Sequence, residues 1–375
     1  MPVLKILHCA DIHIGARESF LGEKAESRRY ETLITFEKIV DLAVEKGVQL
    51  VALAGDILDS NSVESNFTDR IFKKIAEAQS IKFVFAAGNH DPLNSRSPFL
   101  GADLPKNLYV LNTDDDCKTF EDIKTKVYGR SFESAFLKGE EKFTLTADGD
   151  YVNLMVQHGE LKSDLSSQYN SITRRFIEES GMDYIALGHI HKATDIGKIG
   201  NTYFAYCGCS EGQGFDEADQ KGVYVGEIGG GQCNLEFVPV SRRMHIVEKI
   251  DISGLESSGD ISDRIITVLA EKYGNYSENL YKISLTGSVK PESEISVAEI
   301  LSFIADKVYF VKLKDETQIA YDYEALSKEA SLKGIFVKKM LQKAENADEN
   351  SRELVYKALA LGLKAFNSEV GCNED

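Results

Sequence analysis

Nowhere in its 375 residues does this chain carry an apolar run near the ~20 residues that a membrane-spanning helix needs. Its N-terminus enters a strand at Val3 with neither a basic region nor a small-residue cleavage site, so no secretory signal is expected and the cytoplasm is the expected compartment. Cysteine is sparse: six residues, at 9, 117, 207, 209, 233 and 372, show no framework spacing, and a chain of this length needs no disulfide staples. Cys207 and Cys209 lack the second pair that a zinc site would use, and they read as structural. Positive charge is also short. A net charge of −17 argues against a generally basic nucleic-acid-binding surface. It does not exclude nucleic acid, because divalent ions at a carboxylate-rich site invert the local field; a partner would then supply the affinity. With few prolines and 43% hydrophobic residues, the chain is expected to be globular, with a large catalytic domain and a smaller one.

The first 240 or so residues alternate strand and helix. LKILHCA leads to a helix around Tyr30–Lys46, whose stripe Leu33, Phe36, Ile39, Val40 and Ala43 has helical spacing. QLVALAG, a helix near Phe67–Ala78 and IKFVFAAG complete a βαβαβ opening with nearly continuous apolar strands, as in a sheet covered on both faces. Past Tyr151 come a strand, a helix over Ser171–Ser180 and a strand, then short strands at Thr202–Cys207, Gly222–Ile228 and Asn234–Val240. The expected fold class is α/β: two packed mixed sheets flanked by helices, with the site at one edge. Asp114–Asp116 and Gly229–Gly231 read as solvated connections. Residues 241–320 form a small βαβαβ unit, and 321–375 end in two helices near Ser331–Ala344 and Glu349–Phe366.

What the chain has in abundance is metal-ligand residue types at strand ends. LKILHCA runs into Asp11 and His13, LVALAG into Asp56, KFVFAAG into Asn89 and His90, YVNLMVQ into His158, and YIALG into His189 and His191. Five of the seven histidines lie in this series; His8 reads as packed scaffold and His245 as structural. The carboxyl ends of parallel strands are where α/β sheets build sites. Carboxylates, imidazoles and one amide suit manganese, iron or zinc, whereas calcium would take oxygen alone. Asp11-x-His13 and His189-x-His191 alternate along extended backbone, so each pair can face one ion. Asp56, in Gly55-Asp56-x-x-Asp59, offers two oxygens, the natural bridge between two ions ~4 Å apart. In Gly88-Asn89-His90-Asp91 an amide ligand stands beside a histidine free for chemistry.

This ordered series resembles the calcineurin-like metallophosphoesterase superfamily, over roughly the first 240 residues. Within it, LKILHCADIHIG, MDYIALGHIHKA and YCGCSEGQGFDE resemble the SbcD-type DNA repair exonucleases, although Cys209 and Ser210 stand where close relatives have Ser-Pro. The final helices, from Leu326-Ser327-x-Glu329 to Phe366, match that subfamily too. The resemblance implies a four-layer α/β/β/α domain over 1–240, a capping α+β domain over 241–320 and partner-docking helices over 321–375. It implies one ion on Asp11, His13, Asp56 and His191 and a second on Asp56, Asn89, His158 and His189. His90 would stand over the scissile phosphate without binding metal. The implied activity is a manganese-dependent DNA exonuclease and endonuclease in double-strand-break repair or recombination. It would act with an SbcC-like SMC-type ATPase as a homodimer within a heterotetramer. Some nucleases of this group carry a histidine where Asp59 stands. Two other readings are a phosphoesterase acting on a small phosphodiester or phosphomonoester, and a scaffold with an incidental metal site. The C-terminal unit favours the nuclease over the first, and the complete ligand set with His90 argues against the second.

Overall fold

The computed structural model describes residues 2–367 apart from 102, 141–142, 219, 292 and 294; Cys372 lies outside them. The chain divides into two compact units, Met1–Val247 with Glu278–Leu280, and Glu248–Ser277 with Tyr281–Asp375. The first unit runs β1 (Leu4–Cys9), α1 (Ala25–Glu45), β2 (Leu50–Leu53), α2 (Ser65–Glu77), β3 (Lys82–Phe85), β4 (Leu108–Val110), β5 (Asp116–Phe120), β6 (Thr125–Arg130) and β7 (Val152–His158). It continues through β8 (Glu160–Lys162), β9 (Ser171–Thr173), α3 (Arg174–Ser180), β10 (Tyr184–Gly188), β11 (Gly197–Ile199), β12 (Thr202–Tyr206), β13 (Gly222–Gly229) and β14 (Gln232–Pro239).

Two six-stranded mixed sheets result, ordered β14-β13-β1-β2-β3-β4 and β11-β12-β10-β7-β6-β5. In the first, β1 to β4 are parallel and β13 joins β1 antiparallel. In the second, β6, β7, β10 and β12 are parallel. Side-chain alternation in each strand sorts the apolar residues into layers. Ile6, Ala52 and Val84 of the first sheet meet Leu154, Val156 and Ala186 of the second in one buried core. The opposite face of the first sheet, Leu7, Val51 and Phe83, packs against Phe36, Val40 and Ala43 of α1 and Ile71 and Ile75 of α2. Beyond the second sheet, Met155 and Ile185 pack on Phe176 and Ile177 of α3. The layers are therefore α/β/β/α, the expected fold.

Some local expectations need correction. Ser171–Thr173 is a strand, not the first turn of a helix. Thr173 is the N-cap of α3, its side chain accepting from the Phe176 amide, and a cap residue holds extended backbone. β4, β5 and β6 were not anticipated, and Asp116 begins β5 instead of closing an acidic turn. β4 and β5 are short and mostly half-exposed, and β6 lacks clean alternation, so all three leave little periodic signal.

In the second unit the elements are β15 (His245–Asp251), α4 (Ser258–Lys272), β16 (Leu280–Thr286), β17 (Ser288–Val289), α5 (Val297–Ile304), β18 (Phe310–Asp315) and β19 (Gln318–Ile319). α6 (Tyr323–Ser327), α7 (Leu332–Glu345) and α8 (Glu349–Asn367) follow. β15, β16 and β18 form a three-stranded sheet. Tyr321, Val337, Leu359 and Leu363 make a buried core that holds α7 on α8. Among the described residues no helix is long and apolar enough to cross a membrane.

Candidate metal centre

Every residue of the strand-end series lies past, or at, the carboxyl end of a parallel strand: Asp11 and His13 after β1, Asp56 after β2, Asn89 after β3, His158 closing β7, His189 and His191 after β10. Parallel pairing of Gly188 with His158 aligns the two ends in the second sheet, and Asp11 N–H donates to Gly55 O at 3.0 Å in the first. The backbone at these positions is not the extended segment expected for Asp11-x-His13 and His189-x-His191. Of the six non-glycine residues with positive φ among those described, four are Asp11, His13, Asp56 and His189. The chain turns sharply there to aim short side chains inward. Glycine clears the way at two of them. A Cβ on Gly55, at φ +86°, would collide with the His158 ring, and one on Gly88 with the Asp56 carboxylate.

Each of the four inward histidines has one ring nitrogen facing an outer acceptor and the other facing the centre. His158 Nδ1 donates to Ala54 O at 2.9 Å, and His191 Nδ1 to Glu217 Oε1 at 2.5 Å. His189 Nε2 lies 3.6 Å from Glu160 Oε1, and His13 Nδ1 lies 3.7 Å from Asp59 Oδ1. The two bonded acceptors set the tautomer of His158 and His191 and turn the other nitrogen inward, whereas His13 Nδ1 is buried without a hydrogen-bond partner. The inward atoms then crowd one another: His13 Nε2 and His191 Nε2 are 3.1 Å apart, and Asn89 Oδ1 is 3.0 Å from His158 Nε2 and 3.1 Å from His189 Nδ1. Asp56 Oδ2 lies 3.3 Å from His158 Nε2 and 3.8 Å from His13 Nε2, between the two groups, while Oδ1 accepts the His90 amide at 2.8 Å. Asp11, His13 and His191 form one ligand group, and Asp56, His158 and His189 another. So many lone pairs converging in a buried space leave either protons or cations to reconcile them, and the donor set of imidazole, carboxylate and amide fits divalent metal.

Electrostatics agree. Burial opposes charge on His158, but the Asp56 carboxylate prevails and pushes the imidazole up to about 9. Burial, and then the charge on His158, push His189 down to about 4, a neutral ring. Asp56 is held well below the usual carboxylate range, against its burial, by His158 and His13.

His90 stands apart. It is exposed, its ring meets that of His13 edge-on at 4.7 Å, and Nδ1 donates to Asp59 O at 3.0 Å. Nε2 is left as the atom to meet a substrate. His90 also groups with His13 and Asp56 in a cluster tight enough for an ion.

Three carboxylates that sequence reasoning left without a role shape this centre. Asp91 is fully buried and accepts backbone N–H from Asp56, Ile57, Leu58 and Gly88 at 2.7–3.2 Å, which locks the Asp56 loop to the Asn89 loop. Burial, and then the charge on Asp56, push it up to about 6. Glu160 and Glu217 face His189 and His191; Glu217, against its burial, is held down to about 2 by its bond to His191. The loop carrying Glu217 is pinned by Arg28, which is buried and donates to Glu18, Glu31, Glu211 and Gly212 O. His245 joins that network through Glu18 at 3.1 Å. His8 is core: it bonds Tyr184 Oη and Leu187 O, and burial pushes it down to about 3. Cys207 and Cys209 are fully buried, and burial pushes both thiols up; Cys209 also lies in a group with His191 and Glu217 tight enough for an ion.

The family model for calcineurin-like phosphoesterases matches residues 4–193, which contain all of these strand-end residues. The chain belongs to this family. As a member it is a phosphoesterase, a hydrolase of the calcineurin-like kind. It is 26% identical over 249 residues to the uncharacterized metallophosphoesterase YhaO of Bacillus subtilis, covering 62% of this chain and 60% of that one. It is 23% identical over 359 residues to the DNA double-strand break repair protein Mre11 of Methanopyrus kandleri, covering 87% and 76%. To the Mre11 of Sulfolobus acidocaldarius it is 21% identical over 309 residues, covering 79% and 78%. The chain thus spans less than two thirds of YhaO and about three quarters of these two Mre11 proteins.

Proposed function

We propose that this calcineurin-like phosphoesterase is the nuclease subunit of an SbcD-type DNA repair complex, cutting phosphodiester bonds at DNA ends with two manganese ions. What carries the reading is Asp56, whose Oδ2 lies between His13 and His158 and so between the two ligand groups. One ion would be held by Asp11, His13, Asp56 and His191, the other by Asp56, Asn89, His158 and His189. Bound there, such ions lower the pKa of a water and neutralise phosphate oxygens. The protein's part is to hold the ligands, His158 through Ala54 O and His191 through Glu217, and to present His90. With Nδ1 anchored on Asp59 O, a protonated His90 would donate from Nε2 to the leaving oxygen. Similarity to two Mre11 proteins over more than three quarters of the chain supports DNA as the substrate.

The C-terminal helices supply the partner. α7 and α8 bury Val337, Leu359 and Leu363 between them, yet Leu332 is 72% exposed, Leu354 69% and Leu361 68%. An apolar helical face left open in this way suits a hydrophobic groove or helix pair on an SbcC-like ATPase. That partner would bring the DNA affinity which a net charge of −17 denies the isolated chain. The docking segment proposed is 321–375, after a nuclease domain over 1–240 and a capping domain over 241–320, within a dimer of such pairs. The deciding experiment sets linear duplex DNA against bis-p-nitrophenyl phosphate, with Mn²⁺, Fe²⁺ and Zn²⁺ in parallel. Hydrolysis of the small ester without cleavage of DNA, even with the ATPase added, would leave a small-molecule phosphoesterase in its place.

A further inference from the structure

A line of rings leads from the metal centre to the surface. Tyr169 stacks on His189, with centroids 5.0 Å apart and planes 28° from parallel, and Phe136 lies 6.0 Å further on, at 41°. Tyr169 is half-buried, while Phe136 is 57% exposed. Single exposed aromatics are ordinary, but this one is held in place. Leu137 N–H donates to Gln168 O at 2.9 Å, Asn170 N–H donates to Leu137 O at 2.6 Å, and Leu137 bridges Tyr169 in a short parallel ladder. Ser134 Oγ bonds the Phe136 carbonyl at 2.9 Å and its amide at 3.3 Å. Asn170, itself at φ +55°, donates from its side chain to the His158 carbonyl at 2.8 Å. The segment carrying the rings is therefore fastened to a candidate ligand strand on one side and to the Phe136 loop on the other.

A rigid, exposed ring adjoining a phosphate-handling centre suits one kind of occupant, a flat aromatic group carried on a phosphodiester. We propose that Phe136 and Tyr169 form a stacking shelf for an unpaired nucleobase of the nucleotide next to the scissile phosphate. The shelf is two rings wide, and Lys138 and Gln168, the sequence neighbours of its two segments, are exposed and polar. Stacking tolerates any base, so the shelf would select frayed or single-stranded ends without reading sequence. The inference rests on the nuclease reading, and the test separates the two.

Single-stranded oligonucleotides with a base or an abasic residue at each position are hydrolysed by the full chain with Mn²⁺. The same sequences carrying 2-aminopurine are titrated in chelator, where stacking quenches fluorescence without turnover. For wild type, one abasic position should raise KM by roughly 5- to 30-fold, in keeping with ~1–2 kcal/mol per stacked base. Phe136→Ala should raise KM for the intact strand by a similar factor, become indifferent to the abasic residue and lose the quenching. Phe136→Trp should restore all three, and Phe136→Leu, apolar but without a π face, should not. Wild type indifferent to abasic residues, or Phe136→Ala that still discriminates against them, would overturn the shelf while leaving the nuclease intact. Should wild type cleave only small esters, the nuclease reading fails and the fluorescence decides the shelf: quenching that needs Phe136 upholds it, and its absence refutes it.

Discussion

The Nε2 atoms of His13 and His191, 178 residues apart in the chain, stand 3.1 Å from each other. His191 donates from Nδ1 to Glu217, and its Nε2 faces that of His13 directly. His13 must fill the gap with a proton or share it with a cation. Metal should therefore stabilise the fold measurably. Mn²⁺ at 100 times its Kd should add about 2.7 kcal/mol, and calorimetry with and without chelator should show the midpoint rise by several degrees. Identical melting curves would show that the site does not hold the ion.

His158 sets the pH dependence of that binding. Asp56 at 3.3 Å holds its imidazole up to about 9, above the ordinary 6.5. In the metal-free chain the pair therefore stabilises the fold fully below pH 6.5, and this contribution is lost as pH rises through 9. An ion on Nε2 has to displace that proton, so affinity should climb with pH between these values while metal-free stability falls. Titration calorimetry in buffers of different ionisation heat counts the protons released. Binding at pH 7 with no proton release would contradict a protonated His158.

His90→Asn should keep the metal content of wild type and lose ~10²–10⁴-fold in rate, the range for a general acid. Asp56→Ala should lose nearly all turnover together with the normal metal content. Loss of an ion from His90→Asn, seen by elemental analysis, would make His90 a ligand of the group it forms with His13 and Asp56.

Asp91→Asn keeps the size of the side chain but turns an N–H₂ toward backbone donors that Asp91 now satisfies. Each amide left without an acceptor should cost ~1–3 kcal/mol. Urea unfolding should show the loss at an unchanged m-value, with activity falling through misplacement of Asp56. A variant as stable and active as wild type would remove Asp91 from this role.

Replacing Leu354 and Leu361 together by Asp alters exposed positions outside the small core of α7 and α8. Folding and small-ester hydrolysis should be unchanged, and co-purification of the SbcC-like ATPase should be lost. Undiminished binding would make these leucines ordinary surface.

The site was legible because its residues sit at strand ends, where a buried apolar run stops at a polar residue, a one-dimensional signal. Asp11, Asp56 and His158 each announce themselves that way. Glu217 does not: it reaches His191 from a loop 26 residues later, placed by Arg28 and Glu211, and no local spacing encodes that contact. Asp91 was visible as a letter beside His90, but its role lies in four backbone amides that appear only when two loops meet. The layered fold followed from buried strands such as Leu50–Leu53, while β5 escaped because it is mostly half-exposed and β6 because its burial does not alternate.

Asp11, His13, Asp56 and His189 all hold left-handed backbone, a conformation that carries roughly 1–3 kcal/mol each for such residues. Together they approach the whole net stability of an ordinary domain, ~5–15 kcal/mol. Glycine at any of them would relax the backbone but delete a candidate ligand, and at Asp56 the partner of His158 as well, so the strain cannot be removed without removing the centre.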